Sequence, residues 1–311
     1  MNLTVKIRAY GSATEITVSE ILKLTFEKER YTPYTKLTVS FVSGSENSEI
    51  ISVKAICDTK TIHYGPVDTC ETILRNGCRI TTIVSRGFSG GLGVNQPTPE
   101  INYNVNLESL LANNISIPHV TCETGTPTIN YIFVKENSTL WDAVAALCRK
   151  TNSGYPHIYE HNTVRLSRSP SAKSIILASS DIISCGNGND LSKMLSHIHM
   201  KDINGTYNTY NLTNSYAVQR EIVRHKQVPF DRQWLATPET SLEYRRDFSM
   251  RGCLYKKLSY YGYNGEDLRD YVSAEAPNFS VVNREISRIR LTADLSGIVT
   301  TLWMYTDNYT P

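Results

Sequence analysis

The sequence predicts a mainly β protein in which two antiparallel β-barrel domains flank a small α+β module. Short alternating segments, separated by turn residues about every 8–12 positions, fill both ends of the 311-residue chain. Only 106–113 and 139–150 carry a clear helical pattern, so we expect a helix content well below about a third. Glycine and proline cluster at 87–100 and mark a boundary. We therefore predict a first barrel at 1–95, the α+β module at 96–169 and a second barrel at 170–311.

The first barrel is predicted from strands in which apolar and polar side chains alternate. The pattern is clear where Leu22, Leu24 and Phe26 are separated by polar residues that would face water. Further along, Asn76-Gly77 stands between two such strands and is a strong signal for a two-residue hairpin turn. We expect most of residues 1–86 to lie in antiparallel strands.

The central module is predicted from two helix starts and a short ribbon. Asn106 can cap a short helix, and Thr139 with Asp142 three positions later forms a capping-box pattern. Apolar residues then recur at helical spacing, and Trp141 is the largest of them. We expect Trp141 to pack against the ribbon at 157–166, which alternates around a turn at Asn162.

The last third of the chain is predicted to be β-rich again. Gly186–Asp190 has the composition of a tight turn, and Gly205 punctuates a polar stretch that suits an exposed hairpin. The segment 234–262 fits either a strand or a helix. Residues 286–291 and 298–302 are predicted as the closing strands.

Composition excludes several classes of function. The formal net charge of +2, from 32 basic and 30 acidic residues, argues against a dedicated nucleic-acid-binding protein. No stretch approaches the roughly 18 apolar residues of a membrane span, and the first residues alternate instead of forming a signal peptide. Seven scattered cysteines without a Cys-x-x-Cys pair predict free thiols in a protein assembled in a cytoplasm.

Tyrosine is the one excess in the composition, with 19 residues against 7 phenylalanines and 3 tryptophans. Tyrosine is enriched at protein interfaces because its ring is apolar and its hydroxyl can stay wet. Two tyrosine-rich stretches near the end of the chain are therefore predicted as contact surfaces. Their tyrosines are Tyr255, Tyr260, Tyr261, Tyr263, Tyr305 and Tyr309.

One motif points to nucleophilic catalysis, and we interpret it as a linker. Gly87 to Gly91 match G-x-S-x-G, in which Ser89 would be the nucleophile of a serine hydrolase. That chemistry needs a helix directly after the serine, whereas Gly93, Pro97 and Pro99 follow here. We predict no catalytic residue.

Metal, cofactor and phosphate sites are also not predicted. His197 and His199 would share one strand face, as would His157 and His161, but no carboxylate or cysteine has a diagnostic spacing to them. We interpret both pairs as strand faces or interface residues. Gly262–Asp267 lacks the lysine and glycine spacing of a phosphate-binding loop. The arginines at 245, 246, 284, 288 and 290 are expected to pair with neighbouring acids or a partner subunit.

A series of individually weak motifs runs in order through residues 66–168. The motifs are Gly65-Pro66-Val67-Asp68, CRITTIVSRGFSGGLGVNQP, NVNLESLLANN, Ile115-Ser-Ile-Pro118, STLWDAVAALC and HIYEHNTVRLSR. In their order and spacing, they resemble the baseplate hub family of contractile phage tails. This family includes late-control gene D-type proteins, the hub of the T4 baseplate and the hub-like part of type VI secretion spike proteins.

The resemblance implies a structural part rather than an enzyme. In the family, two barrels per chain form a trimeric ring that joins the sixfold tail tube to the threefold central spike. It implies as partners a homotrimer, a tube or tube-initiator protein, the spike and other baseplate proteins. DNA would pass through the bore without specific binding. The location implied is the baseplate of a virion or tail-like particle assembled in the bacterial cytoplasm. A Ser89 hydrolase associated with a tail and a glycan-binding tail-tip module remain alternatives.

Overall fold

A computed structural model of the chain describes residues 2–44, 49–152 and 154–306. The protein is mainly β, with 47% strand and 16% helix, and its largest feature is an antiparallel sheet. Both the predicted class and the expected low helix content are confirmed. The longest helix among the described residues has 13 residues.

Seven strands and one 3-10 helix form the first part of the chain. They are β1 (Leu3–Ala9), β2 (Glu15–Thr17), β3 (Ile21–Glu29), β4 (Thr35–Ser43), β5 (Ile50–Cys57), β6 (Lys60–Arg75), β7 (Cys78–Arg86) and the 3-10 helix Phe88–Gly93. The expected alternation is present, because Leu24 and Phe26 of β3 are buried. The presence of β-strands in this part could therefore be predicted from the local alternation of apolar and polar residues.

The middle of the chain holds two helices and five short strands. They are β8 (Ile101–Val105), α1 (Leu107–Asn114), β9 (Thr121–Cys122), β10 (Ile129–Phe133), α2 (Leu140–Asn152), β11 (His157–Tyr159) and β12 (Thr163–Arg165). Both predicted helix starts are confirmed. The Asn106 side chain accepts from Ser109 N at 2.8 Å. At α2, Thr139 N donates to Asp142 Oδ2 at 2.8 Å and Asp142 N donates to Thr139 Oγ1 at 3.2 Å.

These elements share one apolar core. Leu140, Val144 and Leu147 of α2 are fully buried with Ile158 and Val164 of the ribbon. Trp141 is partly buried and packs against this cluster, so it lies at the edge of the core.

The last part of the chain adds ten strands, two helices and two 3-10 helices. They are β13 (Ser174–Leu177), the 3-10 helix Ser179–Asp181, β14 (Ile182–Asn189), β15 (His197–Met200), β16 (Tyr210–Thr213), α3 (Ser215–Val218), β17 (His225–Val228), the 3-10 helix Arg232–Trp234, α4 (Glu239–Met250), β18 (Leu254–Tyr261), β19 (Tyr271–Ala276), β20 (Phe279–Glu285), β21 (Arg288–Asp294) and β22 (Gly297–Tyr305). The predicted closing strands correspond to β21 and β22.

Eleven strands form the largest sheet, in the order β14-β18-β22-β21-β3-β4-β7-β6-β5-β1-β2. Strand β21 pairs antiparallel with β3, with Leu291 opposite Phe26 and Ala293 opposite Leu24. The closing strands therefore extend the sheet that the first strands begin. Because β14 and β2 are edge strands, the sheet is not a closed barrel in the described part of the chain.

Strand β6 changes partner along its length. Residues 60–66 pair with β5, and residues 67–75 pair with β7. Pro66 is the last residue that pairs with β5. Proline suits this position because it has no N–H to donate to a partner strand. Strand β6 therefore belongs to both neighbouring pairs, and its register with β7 shifts between Val67 and Thr69.

The chain divides into two compact units. The first comprises 1–185 and 258–303, and the second comprises 186–257 and 304–311. The second unit contains a sheet of order β16-β15-β17 together with α3 and α4. Its cores are built around Met194 and Cys253, and around Ile198 and Leu242. The predicted boundaries after residues 95 and 169 both fall within the first unit.

Two local predictions are corrected. The predicted tight turn at Gly186–Asp190 is wrong, because residues up to Asn189 belong to β14. Glycine at 188 serves close packing instead of a turn: a Cβ there would lie 2.4 Å from Tyr255 Cζ. The ambiguous segment 234–262 contains α4 followed by β18.

Candidate assembly surfaces

The outer halves of β6 and β7 form a projecting hairpin, which we call the 67–85 hairpin. Asn76 and Gly77 connect the strands with positive φ angles of 50° and 79°, the signature of a type I′ turn. Arg75 lies opposite Cys78 and Thr72 opposite Thr81, and the two threonine hydroxyls are 2.8 Å apart. The predicted Asn-Gly turn is confirmed. Every residue from 68 to 75 is exposed.

One edge of this hairpin is open. Strand β4 pairs with β7 as far as Arg79, whereas β6 beyond Pro66 has only β7 as a partner in the described chain. A two-residue turn makes its flanking residues a hydrogen-bonded pair, so N–H groups at 70, 72 and 74 point to the free edge. Ile73 and Leu74 are 47% and 73% exposed. An open edge with apolar side chains is an aggregation hazard unless another chain covers it.

The predicted interface tyrosines lie in different environments. Tyr261 is 71% exposed. Tyr255, Tyr263 and Tyr305 are half-buried, and Tyr309 lies outside the described residues. Tyr261 therefore has the accessibility that a contact residue needs.

Tyr260 requires a correction, because it belongs to the core and is 1% exposed. Its hydroxyl donates to Glu266 Oε1 at 2.6 Å, and Asn264 N donates to Glu266 Oε2 at 2.9 Å. Burial raises the pKa of both Tyr260 and Glu266 above their ordinary values. Tyr260 is the last of three successive buried residues in β18, Leu258, Ser259 and Tyr260, and the exposed Tyr261 follows it.

A buried ionic network, which we call the Lys28 network, was not predicted. Lys28 forms a hydrogen-bonded ion pair with Asp267 and donates to Glu160 O at 2.6 Å. Glu160 N donates to the other carboxylate oxygen of Asp267 at 2.7 Å, and Lys60 Nζ lies 3.6 Å from that oxygen. Burial lowers the pKa of Lys28, while the adjacent Asp267 carboxylate opposes the shift.

The Lys28 network joins four segments of the first unit: strand β3, strand β6, the turn of the ribbon, and the loop that contains Asp267. Gly262–Asp267 is a loop, and its last residue, Asp267, holds the buried ammonium of Lys28. The sequence signal was available, since Lys28 follows Leu24 and Phe26 at intervals of two and so shares their buried face.

Ser89 has no geometry for catalysis. It lies in the 3-10 helix Phe88–Gly93, which the sequence did not predict, and it is fully buried. Its N–H donates to Asn162 Oδ1 at 3.1 Å, and its hydroxyl has no hydrogen-bond partner among the described residues. A serine hydrolase needs an exposed hydroxyl hydrogen-bonded to a base. The positions of Ser89 and Asn162 therefore favour a structural role for the motif.

The predicted histidine faces differ from each other. His157 is fully buried, and neither ring nitrogen has a partner among residues 2–44, 49–152 and 154–306. It is therefore a core residue, which corrects its interpretation as part of an interface. His197 and His199 lie on one accessible face of β15, as predicted, and His225 of β17 joins them.

Four of the five arginines that were expected to pair with neighbouring acids form such ion pairs. Arg245 lies 3.7 Å from Asp231 and Arg246 lies 2.9 Å from Asp247. Arg288 and Arg290 both reach Glu27, at 3.2 and 2.7 Å. These four residues match the expectation of pairing with neighbouring acids. All seven cysteines are free thiols.

No helix in the described part of the chain has the length and apolar character needed to cross a membrane.

Comparison with known structures identifies the fold. A tail protein from Neisseria meningitidis MC58 superposes with a TM-score of 0.70 at 13% identity, covering 99% of this chain and 97% of that one. The 43 kDa tail protein of prophage MuSo2 from Shewanella oneidensis gives 0.68 at 12% identity, covering 98% of both chains. The E. coli c3393 protein gives 0.57 at 9% identity, covering 99% of this chain and 79% of that one. That protein is described as a type VI secretion component similar to T4 tail proteins gp27 and gp5.

No protein-family model matches the sequence, and no curated protein does. The structural neighbours are thus phage tail proteins and a type VI secretion protein, and the shared property is the fold.

Proposed function

We propose that this chain is a structural component of a phage tail or a related injection particle, and that it acts as the baseplate hub. The observation that carries the proposal is the length of the structural match. The fold agrees over 99% of this chain and 97% of a tail protein, so the similarity includes both compact units. If the two proteins shared only one common type of sheet, the match would not include the small α+β elements and the second unit as well.

In the proposed assembly, three copies form a ring between the sixfold tail tube and the threefold central spike. Two antiparallel barrels per chain, flanking the α+β module, would supply six similar ring segments. The β-rich segments on both sides of α1 and α2 support the proposal of two barrels per chain. DNA would pass through the bore without specific binding, as the nearly balanced charge suggests.

The 67–85 hairpin is a second observation, independent of the fold comparison, that supports assembly with other chains. Its free edge offers N–H groups at 70, 72 and 74 to a strand of another chain. Ile73 and Leu74 would be covered in the same contact. In the proposed particle, the partner is a neighbouring copy, the tube protein or another baseplate protein, and the site of action is the baseplate.

Cryo-electron microscopy of the assembled particle tests the proposal. We expect three copies of this chain on the particle axis, between tube and spike. Isolated chains can stay monomeric until a partner is present, so the measurement must use particles. Six copies, or a position away from the axis, would show that the chain is not the hub. A particle without the chain would refute the structural role altogether.

A further inference from the structure

Three histidines of the second unit share one face of a small sheet. His197 and His199 lie two residues apart on β15, the central strand, and His225 lies opposite His197 on the parallel strand β17. The ring centroids of His197 and His225 are 4.3 Å apart, and those of His199 and His225 are 5.4 Å apart. Three of the seven histidines in the chain therefore meet at one place on the surface.

The hydrogen bonds around His199 fix its tautomer. Asn211 Nδ2 donates to Asn208 O at 3.2 Å, which orients the amide so that its Oδ1 faces the imidazole. Oδ1 lies 2.6 Å from His199 Nδ1, and a carbonyl oxygen can only accept, so Nδ1 carries the proton. In the neutral ring, Nε2 then holds a lone pair. Nε2 lies 3.2 Å from His225 Nδ1.

The same reasoning fixes His197. Ser196 Oγ donates its single proton to Arg224 O at 3.0 Å and accepts from Arg224 N at 2.8 Å. Its 2.9 Å contact with His197 Nδ1 must therefore be one in which the imidazole donates. His197 Nε2 is left with a lone pair, and it has no hydrogen-bond partner in the described chain.

Both imidazoles bind a fixed acceptor through Nδ1–H and keep an Nε2 lone pair, as metal-ligating histidines usually do. The lone pair of His199 accepts a hydrogen bond from His225 Nδ1 at 3.2 Å, and a bound ion would replace this hydrogen bond. The two rings therefore already come within the roughly 3.3 Å that separates two nitrogens bound at about 2.0–2.1 Å to a tetrahedral ion. Imidazole nitrogens favour late first-row divalent ions over Mg²⁺ and Ca²⁺. We propose that His197, His199 and His225 form a surface site for an ion of the Zn²⁺ class.

Formation of the site requires the ring of His225 to turn. As the side chains stand, no three metal-binding groups converge within residues 2–44, 49–152 and 154–306. His225 is exposed and lies on an edge strand of its sheet, and exposed side chains exchange rotamers within nanoseconds. A bound ion would link the side chains of β15 and β17. Its fourth coordination position would remain for water or for a ligand from another chain.

Calorimetric titration of Zn²⁺ into the full chain, free of any polyhistidine tag and in excess Mg²⁺, tests the site. We expect one ion per chain, and an affinity at least about tenfold weaker in His199→Gln and in His225→Gln. The matched control is His119→Gln, an exposed histidine of the first unit, which should leave the affinity unchanged. Absence of saturable binding, or equal loss in the control, would overturn the proposal.

Asn211, which orients the ring of His199, provides a second and sharper test of the metal site. Asn211→Leu removes the acceptor that fixes the His199 tautomer and should weaken binding about 10- to 100-fold, whereas Asn211→Asp keeps an acceptor and should bind at least as well. Co²⁺ in place of Zn²⁺ should give the visible absorption of a tetrahedral site. Equal binding by the two Asn211 variants would overturn the role of Asn211. Because the test uses the isolated chain, its failure leaves the proposed hub function unaffected.

Discussion

The Cβ atom that Gly65 lacks would lie 2.0 Å from the carbonyl oxygen of Arg86. This contact occurs where β6 passes the end of β7 and changes its partner from β5 to β7. A backbone oxygen cannot move aside without breaking the strands, so only glycine fits. The position of the 67–85 hairpin therefore depends on the absence of one carbon atom.

Gly65→Ala should lower the free energy of unfolding by at least about 1–3 kcal/mol, the usual cost of forcing an extra carbon into a packed site. Urea unfolding followed by circular dichroism measures the change. Gly44→Ala is the matched control, because a Cβ there meets nothing within 4 Å. An equal cost in both variants would mean that the close approach to Arg86 has no effect on stability.

The Lys28 network makes a second prediction. Asp267→Asn leaves the Lys28 ammonium buried without its counter-charge, and breaking a buried pair in this way costs about 3–5 kcal/mol. Lys28→Met combined with Asp267→Asn removes both charges and should be less destabilising than the sum of the single variants. Thermal unfolding of the four proteins gives the coupling energy. Additive effects would contradict a direct interaction between the two charges.

Acid should destabilise the protein through its buried histidines. Burial lowers the pKa of His63 to about 3, and burial with nearby Arg269 and Lys28 lowers the pKa of His157 well below its ordinary value. Below about pH 6.5 the unfolded chain protonates these rings and the folded chain does not. The unfolded state then binds more protons, so the free energy of unfolding falls as the pH drops from 6.5 towards 3.

Comparison with His157→Met isolates one of these rings. Methionine is of similar size and adapts to a core, and the two ring nitrogens that it replaces have no partner. Between pH 6 and 4.5 the variant should lose less stability than the wild type, by roughly 1.4 kcal/mol per pH unit. The comparison also cancels Glu266, whose raised pKa acts in the opposite direction. Parallel pH profiles would show that His157 is protonated in the folded state.

The capping box of α2 predicts a smaller and non-additive effect. Thr139→Ala should cost about 0.5–2 kcal/mol, because the N–H of Asp142 loses its acceptor. Asp142→Ala removes the reciprocal bond to Thr139 N. Since the two side chains also bond each other at 2.8 Å, the double variant should cost less than the two single variants together. Urea unfolding of all four proteins tests this, and strict additivity would contradict a reciprocal cap.

Features encoded by neighbouring residues could be predicted from the sequence. The alternation of β3, the Asn76-Gly77 turn and the capped starts of α1 and α2 all depend on residues within a few positions of each other. The structure places each of them where the sequence indicated. Short-range hydrogen bonds and side-chain periodicity determine such features almost independently of the rest of the chain.

Features that depend on distant partners were missed. Lys28 and Asp267 are 239 residues apart, so no local pattern reveals their pairing. Gly188 looks like a turn residue until the ring of Tyr255 is placed against it. Helix α4 carries little apolar periodicity, because half of its buried residues are serines and only Leu242 and Met250 are apolar. The pairing of β21 with β3 is likewise invisible in either strand alone.

The open edge of β6 gives the prediction that bears most directly on assembly. Thr72→Pro removes one N–H that points to the free edge, and the hairpin keeps its own hydrogen bonds because position 72 is not in a hydrogen-bonded pair with β7. Proline on an edge strand blocks pairing with another strand. The purified variant should therefore retain the circular dichroism spectrum and stability of the wild type within about 1 kcal/mol. In particles, its incorporation should fall strongly.

Thr72→Val is the matched control for this experiment. Valine keeps the backbone N–H and suits a strand, and it loses the same hydroxyl contact with Thr81 that proline loses. Quantitative mass spectrometry of purified particles measures incorporation of each variant against the wild type. Loss with Thr72→Pro alone would identify backbone pairing at the β6 edge as the assembly contact. Equal incorporation of both variants would show that particles form without strand addition at this edge, and the contacts would then lie elsewhere, with Tyr261 the first position to test.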